Sequence, residues 1–148
     1  MKSISQLFSE LYDQVLLNYQ NDTNRSDRFP DLSANDEYYL NLLFELEDPT
    51  LTSFANKAKI SKPAATRIIH RFIKAHYLTK HASSLDKRSF NLALTDEMKK
   101  HCQQNDRLFD KVFLDAITPL SHKEQEQLAY LMNKIDQNSG LSHAAKSD

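Results

Sequence analysis

The chain of 148 residues has one glycine, at position 140, one cysteine, four prolines and no tryptophan. The near-absence of glycine removes the loops that cradle phosphates on bare backbone, which counts against nucleotide-binding enzymes. A single cysteine closes no intramolecular disulfide, so nothing calls for an oxidising compartment. No apolar run approaches the roughly 20 residues a membrane helix needs, and the opening MKSISQLFSELYDQ turns polar too early for a secretory signal. A soluble, cytoplasmic protein without a membrane partner is expected. Neither a nucleophile spacing nor a cofactor fingerprint is present, so no catalytic residue and no cofactor is assigned, and an enzyme is not expected.

What is there suffices for a folded core. Apolar residues make up 40% of the chain and charged residues 26%, ordinary globular proportions. The net charge of −1 conceals an uneven distribution. Residues 1–56 carry three basic and ten acidic side chains, and residues 96–148 carry seven and nine. Between them, residues 57–95 carry nine basic side chains against Asp86 alone. A local excess of this kind in a near-neutral chain is the electrostatic footprint of an anionic partner.

Hydrophobic spacing sets the organisation. Ile4, Leu7, Phe8, Leu11, Val15 and Tyr19 recur at threes and fours, which predicts an amphipathic helix with one face in need of a partner. Ser33-Ala-Asn-Asp36 has capping-box form and opens a second helix, apolar nearly all round from Tyr38 to Phe44, which Asp48-Pro49 is expected to end. Thr50 caps a short helix through Lys57, and Ser61 caps another to about His76, with Pro63 tolerated in the first turn. Leu78-Thr79-Lys80-His81, a polar turn and the alternating Phe90-Asn91-Leu92-Ala93-Leu94 predict a β-hairpin. A long helix opens at Thr95-Asp96-Glu97 and closes at Thr118-Pro119, and Ser121-His-Lys-Glu124 is a full capping box for a last helix. The tail from residue 137 is expected to be mobile.

Helix, tight turn, helix and basic hairpin predict a mainly α fold with a small β-hairpin wing, a winged helix-turn-helix, over residues 33–95. On its second helix Ala65, Ile69, Phe72 and Ile73 fall inward. Lys62, Ala64, Thr66, Arg67, His70, Arg71 and Lys74, with Ser61 at the cap, then face or flank the surface a DNA groove would receive. Arginine pairs bidentately with guanine and is worth roughly 1–3 kcal/mol of discrimination, which makes Arg67 the leading candidate for base readout. His70 suits either a base or a phosphate.

At these residues the chain resembles the multiple-antibiotic-resistance regulator (MarR) family of bacterial repressors, over about residues 4–136. Thr50-Leu-Thr-Ser-Phe54-Ala55 with Ile60-Ser61 is similar to the family's first helix and turn, and Lys62-Pro-Ala-Ala-Thr-Arg67 to its recognition-helix start. Asp86-Lys87-Arg88 followed by Leu92-Ala-Leu-Thr95 resembles its wing signature. The resemblance implies that Arg88 enters a minor groove, that Asp86 orients the wing and that Lys87 meets phosphate. It implies N- and C-terminal dimerisation helices, in residues 1–32 and 96–136, interleaved with those of a second copy. A homodimer would bind double-stranded DNA at a pseudo-palindromic operator. A small-molecule effector held between the dimerising helices and the DNA-binding lobe is implied too, with Tyr12, Tyr19, Tyr38, Tyr39 and Phe44 either lining its pocket or filling the core.

The family commonly places glycine in the turn between the two helices and before the first wing strand, where this chain has Lys59 and His76. Left-handed backbone at either position costs about 1 kcal/mol without glycine. Cys102 lies on an apolar stripe with Met98 and Phe109 and reads as a buried thiol rather than a redox sensor. His76, His81, His101, His122 and His143 show no paired ligand spacing and read as surface side chains rather than a metal sensor's. A protein-interaction module built on the same winged helix is the alternative reading of the fold, and the charge distribution argues against it.

Overall fold

A computed structural model describes residues 1–82 and 90–138. The expected wing residues Asp86, Lys87 and Arg88, and the tail beyond Asn138, lie outside the described residues. In chain order the elements are α1 (Ile4–Gln20), α2 (Ala34–Glu45), α3 (Leu51–Ala58), α4 (Lys62–Lys74), β1 (Leu78–Ala82), β2 (Phe90–Leu94), α5 (Asp96–Ala116) and α6 (His122–Asn138). This is the winged helix-turn-helix the sequence predicts, mainly helical with one small hairpin.

Helix starts follow the capping residues. The Ser33, Thr50 and Ser61 hydroxyls accept the backbone N–H groups of Asp36, Ser53 and Ala64, and Ser121 with Glu124 forms the reciprocal capping box. Each such cap contributes about 1 kcal/mol by satisfying a donor that the helix itself cannot. Ser3 with Gln6 forms a further box at the start of α1.

Two boundaries differ from expectation. α2 stops at Glu45 rather than Asp48, because Leu46 turns extended and Asp48 adopts φ 46°. The reason lies across the chain: the Pro49 carbonyl accepts the Leu92 N–H at 2.7 Å, and Thr50 bridges Asn91. Residues 46–50 thus leave the helix to lie beside β2, a tertiary demand that periodicity does not register. α4 stops at Lys74 rather than His76, where His76 at φ 64° lets Tyr77 N–H return to the Phe72 carbonyl at 2.9 Å and His76 N–H to Ile73 at 3.1 Å. The turn after α3 is built alike, with Lys59 at φ 57° and the Ile60 and Lys59 N–H groups returning to Ala55 and Asn56. Both are Schellman turns, the geometry for which glycine is the usual residue.

The chain divides into two compact units, Asp27–Gln103 and Met1–Ser26 with the described residues from Gln104 on. In the first, Leu40, Leu43, Phe54, Ala65, Phe72, Leu78, Met98 and Cys102 form a buried cluster. The hairpin, in antiparallel register Leu78↔Leu94, Lys80↔Leu92 and Ala82↔Phe90, contributes Leu78, Leu92 and Leu94 to it. Cys102 is buried there, as expected. His101 corrects the surface reading: it is 3% exposed, with its Nε2 3.1 Å from the Glu37 carboxylate and its ring edge-on to Phe29. It lies on α5 where that helix backs onto the interhelical loop, so a polar residue next to the apolar stripe is enclosed and paired. In the other unit Val15, Leu108 and Val112 are buried among Leu11, Tyr19, Phe109, Phe113 and Ala116.

Candidate nucleic-acid interface

The α4 sequence divides by depth. Ala65 and Phe72 are fully buried and Ile69 nearly so, and they seat the helix on the core. Burying side chains the size of Phe72 or Ile69 contributes roughly 1.5–3 kcal/mol each, which fixes which face is left outward. That outward face carries Lys62, Arg67, His70, Arg71 and Lys74, all exposed, with Ala64 and Thr66 half-buried between them. The predicted site residues on α4 are therefore brought together on one surface. Ser61 is exposed as well, but its hydroxyl is used as the cap on Ala64 N–H. The Thr66 hydroxyl donates to the Lys62 carbonyl at 2.9 Å, which leaves its methyl as the group free for an apolar contact.

Arg71 differs from its neighbours. Its two terminal nitrogens donate to both carboxylate oxygens of Asp36, at 2.6 and 2.9 Å. Those hydrogen bonds hold the guanidinium's proton affinity above its ordinary level. Lys57 is likewise paired, 3.0 Å from Glu45. Among the described residues the cations of the 57–95 stretch left without an ion pair are thus Lys62, Arg67 and Lys74 on α4, with Lys59 in the turn before it and Lys80 on β1.

The hairpin and α4 line a common open groove of about 340 Å³, with Thr52, Thr66, His70, Lys80 and Phe90 in its walls. Lys80 reaches over the half-exposed Phe90 ring at 4.0 Å. Neither residue stands out in the sequence as a site residue, although the basic–aromatic pairing across a predicted hairpin is visible there. The Asp36–Arg71 pair was not legible, because no spacing rule joins residues 35 positions apart. No helix among the described residues is long and apolar enough to cross a membrane.

A helix-turn-helix whose second helix is exposed and basic, followed by a two-stranded hairpin, defines the winged helix-turn-helix class. Residues 32–90 match the model of the MarR family, a span that holds the turn and recognition-helix motifs of the resemblance and the Asp86-Lys87-Arg88 part of its wing motif. Solved structures share the fold. FabT of Streptococcus pneumoniae, in complex with DNA, superposes with TM-score 0.71 at 17% identity, over 90% of this chain and 93% of that one. MepR of S. aureus, bound to ethidium bromide, gives 0.66 at 18% identity, over 90% and 94%. MarR of E. coli in its apo form gives 0.56 at 17% identity, over 91% and 98%. Comparison with curated protein sequences gives no match.

Proposed function

We propose that this chain is a DNA-binding transcriptional regulator that acts as a homodimer and represses its target until a small molecule relieves it. The observation that carries the reading is the exposed α4 face, on which Lys62, Arg67, His70 and Lys74 surround the small Ala64 and Thr66. A helix so shaped fits a major groove, with long cations for phosphates and guanine edges and small groups for thymine methyls. Arg67 is the base reader in this scheme, and the wing residues Asp86, Lys87 and Arg88 serve the neighbouring minor groove.

Dimerisation is supported by apolar side chains that the single chain leaves to water. Ile4, Leu7 and Phe8 on α1, and Tyr130, Leu131 and Ile135 on α6, are all more than half exposed. Two-fold symmetry then sets a pseudo-palindromic operator with half-sites about one helical turn apart. The family match supports the regulatory reading, and the solved complexes of FabT with DNA and MepR with ethidium bromide support the two kinds of ligand. The protein would work in the cytoplasm.

Selection of preferred sequences from random duplex DNA tests the proposal directly. Recovery of an inverted repeat, bound with an affinity that falls steeply with salt, is the expected outcome. Arg67→Ala should relax preference at one base position by about 1–3 kcal/mol. A chain that enriches no sequence and shifts no DNA at low salt would end the reading.

A further inference from the structure

We propose that Arg71 is a positioning residue: bound to Asp36, it fixes the rotation of the recognition helix about its own axis and makes no contact with DNA. This deepens the DNA-binding reading and rests on it.

The geometry is that of an anchored side chain. The guanidinium fork meets both oxygens of one carboxylate at 2.6 and 2.9 Å, the bidentate arrangement that fixes orientation as well as distance. Asp36 is held from its own side. Its N–H is bound to the Ser33 hydroxyl, its side chain is only 16% exposed, and it sits in the first turn of α2 where the helix dipole favours a carboxylate. Turning Arg71 toward a phosphate would strip this half-enclosed carboxylate of its partner, which is costly. The next residue, Glu37, contacts the buried His101 of α5 at 3.1 Å. The first turn of α2 therefore grips α4 with one carboxylate and α5 with the next.

The consequence for reading follows from helical spacing. Arg67 lies four residues before Arg71, so the two side chains are neighbours on one face. A fork that fixes Arg71 also fixes the direction in which Arg67 leaves the helix, and pairing with Asp36 removes the repulsion two adjacent guanidinium groups would exert.

A double-mutant cycle on operator affinity, with Arg71→Ala, Asp36→Ala and the double variant, tests this in the full-length chain. Each single variant is expected to weaken specific binding about tenfold, the middle of the range for a contacting pair. Arg71→Ala should cause no further loss once Asp36 is gone, and the slope of log affinity against log salt should stay at its wild-type value in Arg71→Ala and in the double variant. Arg71→Lys should behave like Arg71→Ala, because an ammonium cannot supply the fork. Circular dichroism melting establishes that each variant is folded at the assay temperature, and the isosteric Asp36→Asn replaces Asp36→Ala if the latter is not. A salt slope that falls by about 0.9 per protomer in Arg71→Ala, equal losses in both backgrounds, or full activity of Arg71→Lys would overturn the proposal in favour of a phosphate contact. Failure of the wild-type chain to bind any DNA would instead refute the underlying reading.

Discussion

Replacing Lys59 and His76 by glycine should stabilise the protein without altering the side chains of the α4 face. Both residues hold left-handed backbone, φ 57° and 64°, at the Schellman turns on either side of α4. A side chain with a Cβ is strained there by about 1.5 kcal/mol. Glycine removes that strain but returns about 0.7 kcal/mol of conformational freedom to the unfolded chain. The net gain is about 0.8 kcal/mol for each replacement, which corresponds to the cost of about 1 kcal/mol relative to glycine expected from the sequence, and the two should add because they share no hydrogen-bond partner. For a chain of this size, each kcal/mol moves Tm by about 3 °C, so the double variant should melt about 5 °C higher. Calorimetry at one fixed protein concentration checks this, since association would otherwise shift Tm by mass action. Lys59→Ala and His76→Ala keep the Cβ and are the controls. If they gain as much as the glycine variants, the gain belongs to the lost side chains and the backbone argument is wrong. Loss of stability in Lys59→Gly would refute it outright.

Three further outcomes are expected. Phe72 is fully buried at the centre of the winged-helix core, so Phe72→Ala should cost about 3–5 kcal/mol in urea unfolding and abolish DNA binding at temperatures where the variant is unfolded. Hydrogen bonds from the backbone and side chain of Ser121 hold the Glu124 carboxylate below its ordinary pKa of 4.5. Folded protein therefore takes up this proton less readily than unfolded. The contribution is complete above about that value and is lost as pH falls through the lowered one, and Glu124→Gln should flatten that part of the acid-stability profile. Phe8→Asp with Ile135→Asp, on two exposed apolar faces, should convert a dimer into a monomer by light scattering, whereas Lys2→Ala should not.

Most elements were legible in the sequence because each carries a local signal. Ser33, Thr50, Ser61 and Ser121 announce their helices by capping chemistry that acts over three residues, and β2 announces itself by alternation. What was not legible depends on contacts distant in sequence. The early end of α2 is set by Pro49 and Thr50 joining β2, more than 40 residues on. His101 has the polar identity of a surface residue and is enclosed only because Glu37 and Phe29 meet it. The inward residues of α4 were readable from period alone, yet Arg71 and Arg67, identical in type and one turn apart, are told apart only by Asp36.

The same distinction bears on how strongly salt should act. A count over residues 57–95 treats every cation as available to phosphate, but Asp36 and Glu45 arrive from the acidic first third of the chain and occupy Arg71 and Lys57. Lys62 and Lys74 are exposed on the α4 face and, among the described residues, form no ion pair. If both meet phosphate in each half of a dimer, replacing them by alanine removes four contacts and should lower the salt slope by about 3.6 units. Lys57→Ala removes the same formal charge from the same stretch, yet the slope should hardly change, since its ammonium lies 3.0 Å from Glu45. Titrating operator DNA with each variant between low and moderate salt separates the two cases. Equal slope losses per lysine, whether at position 57 or at 62 and 74, would mean that net charge over the segment governs binding, and that the ion pairs do not select which cations reach DNA.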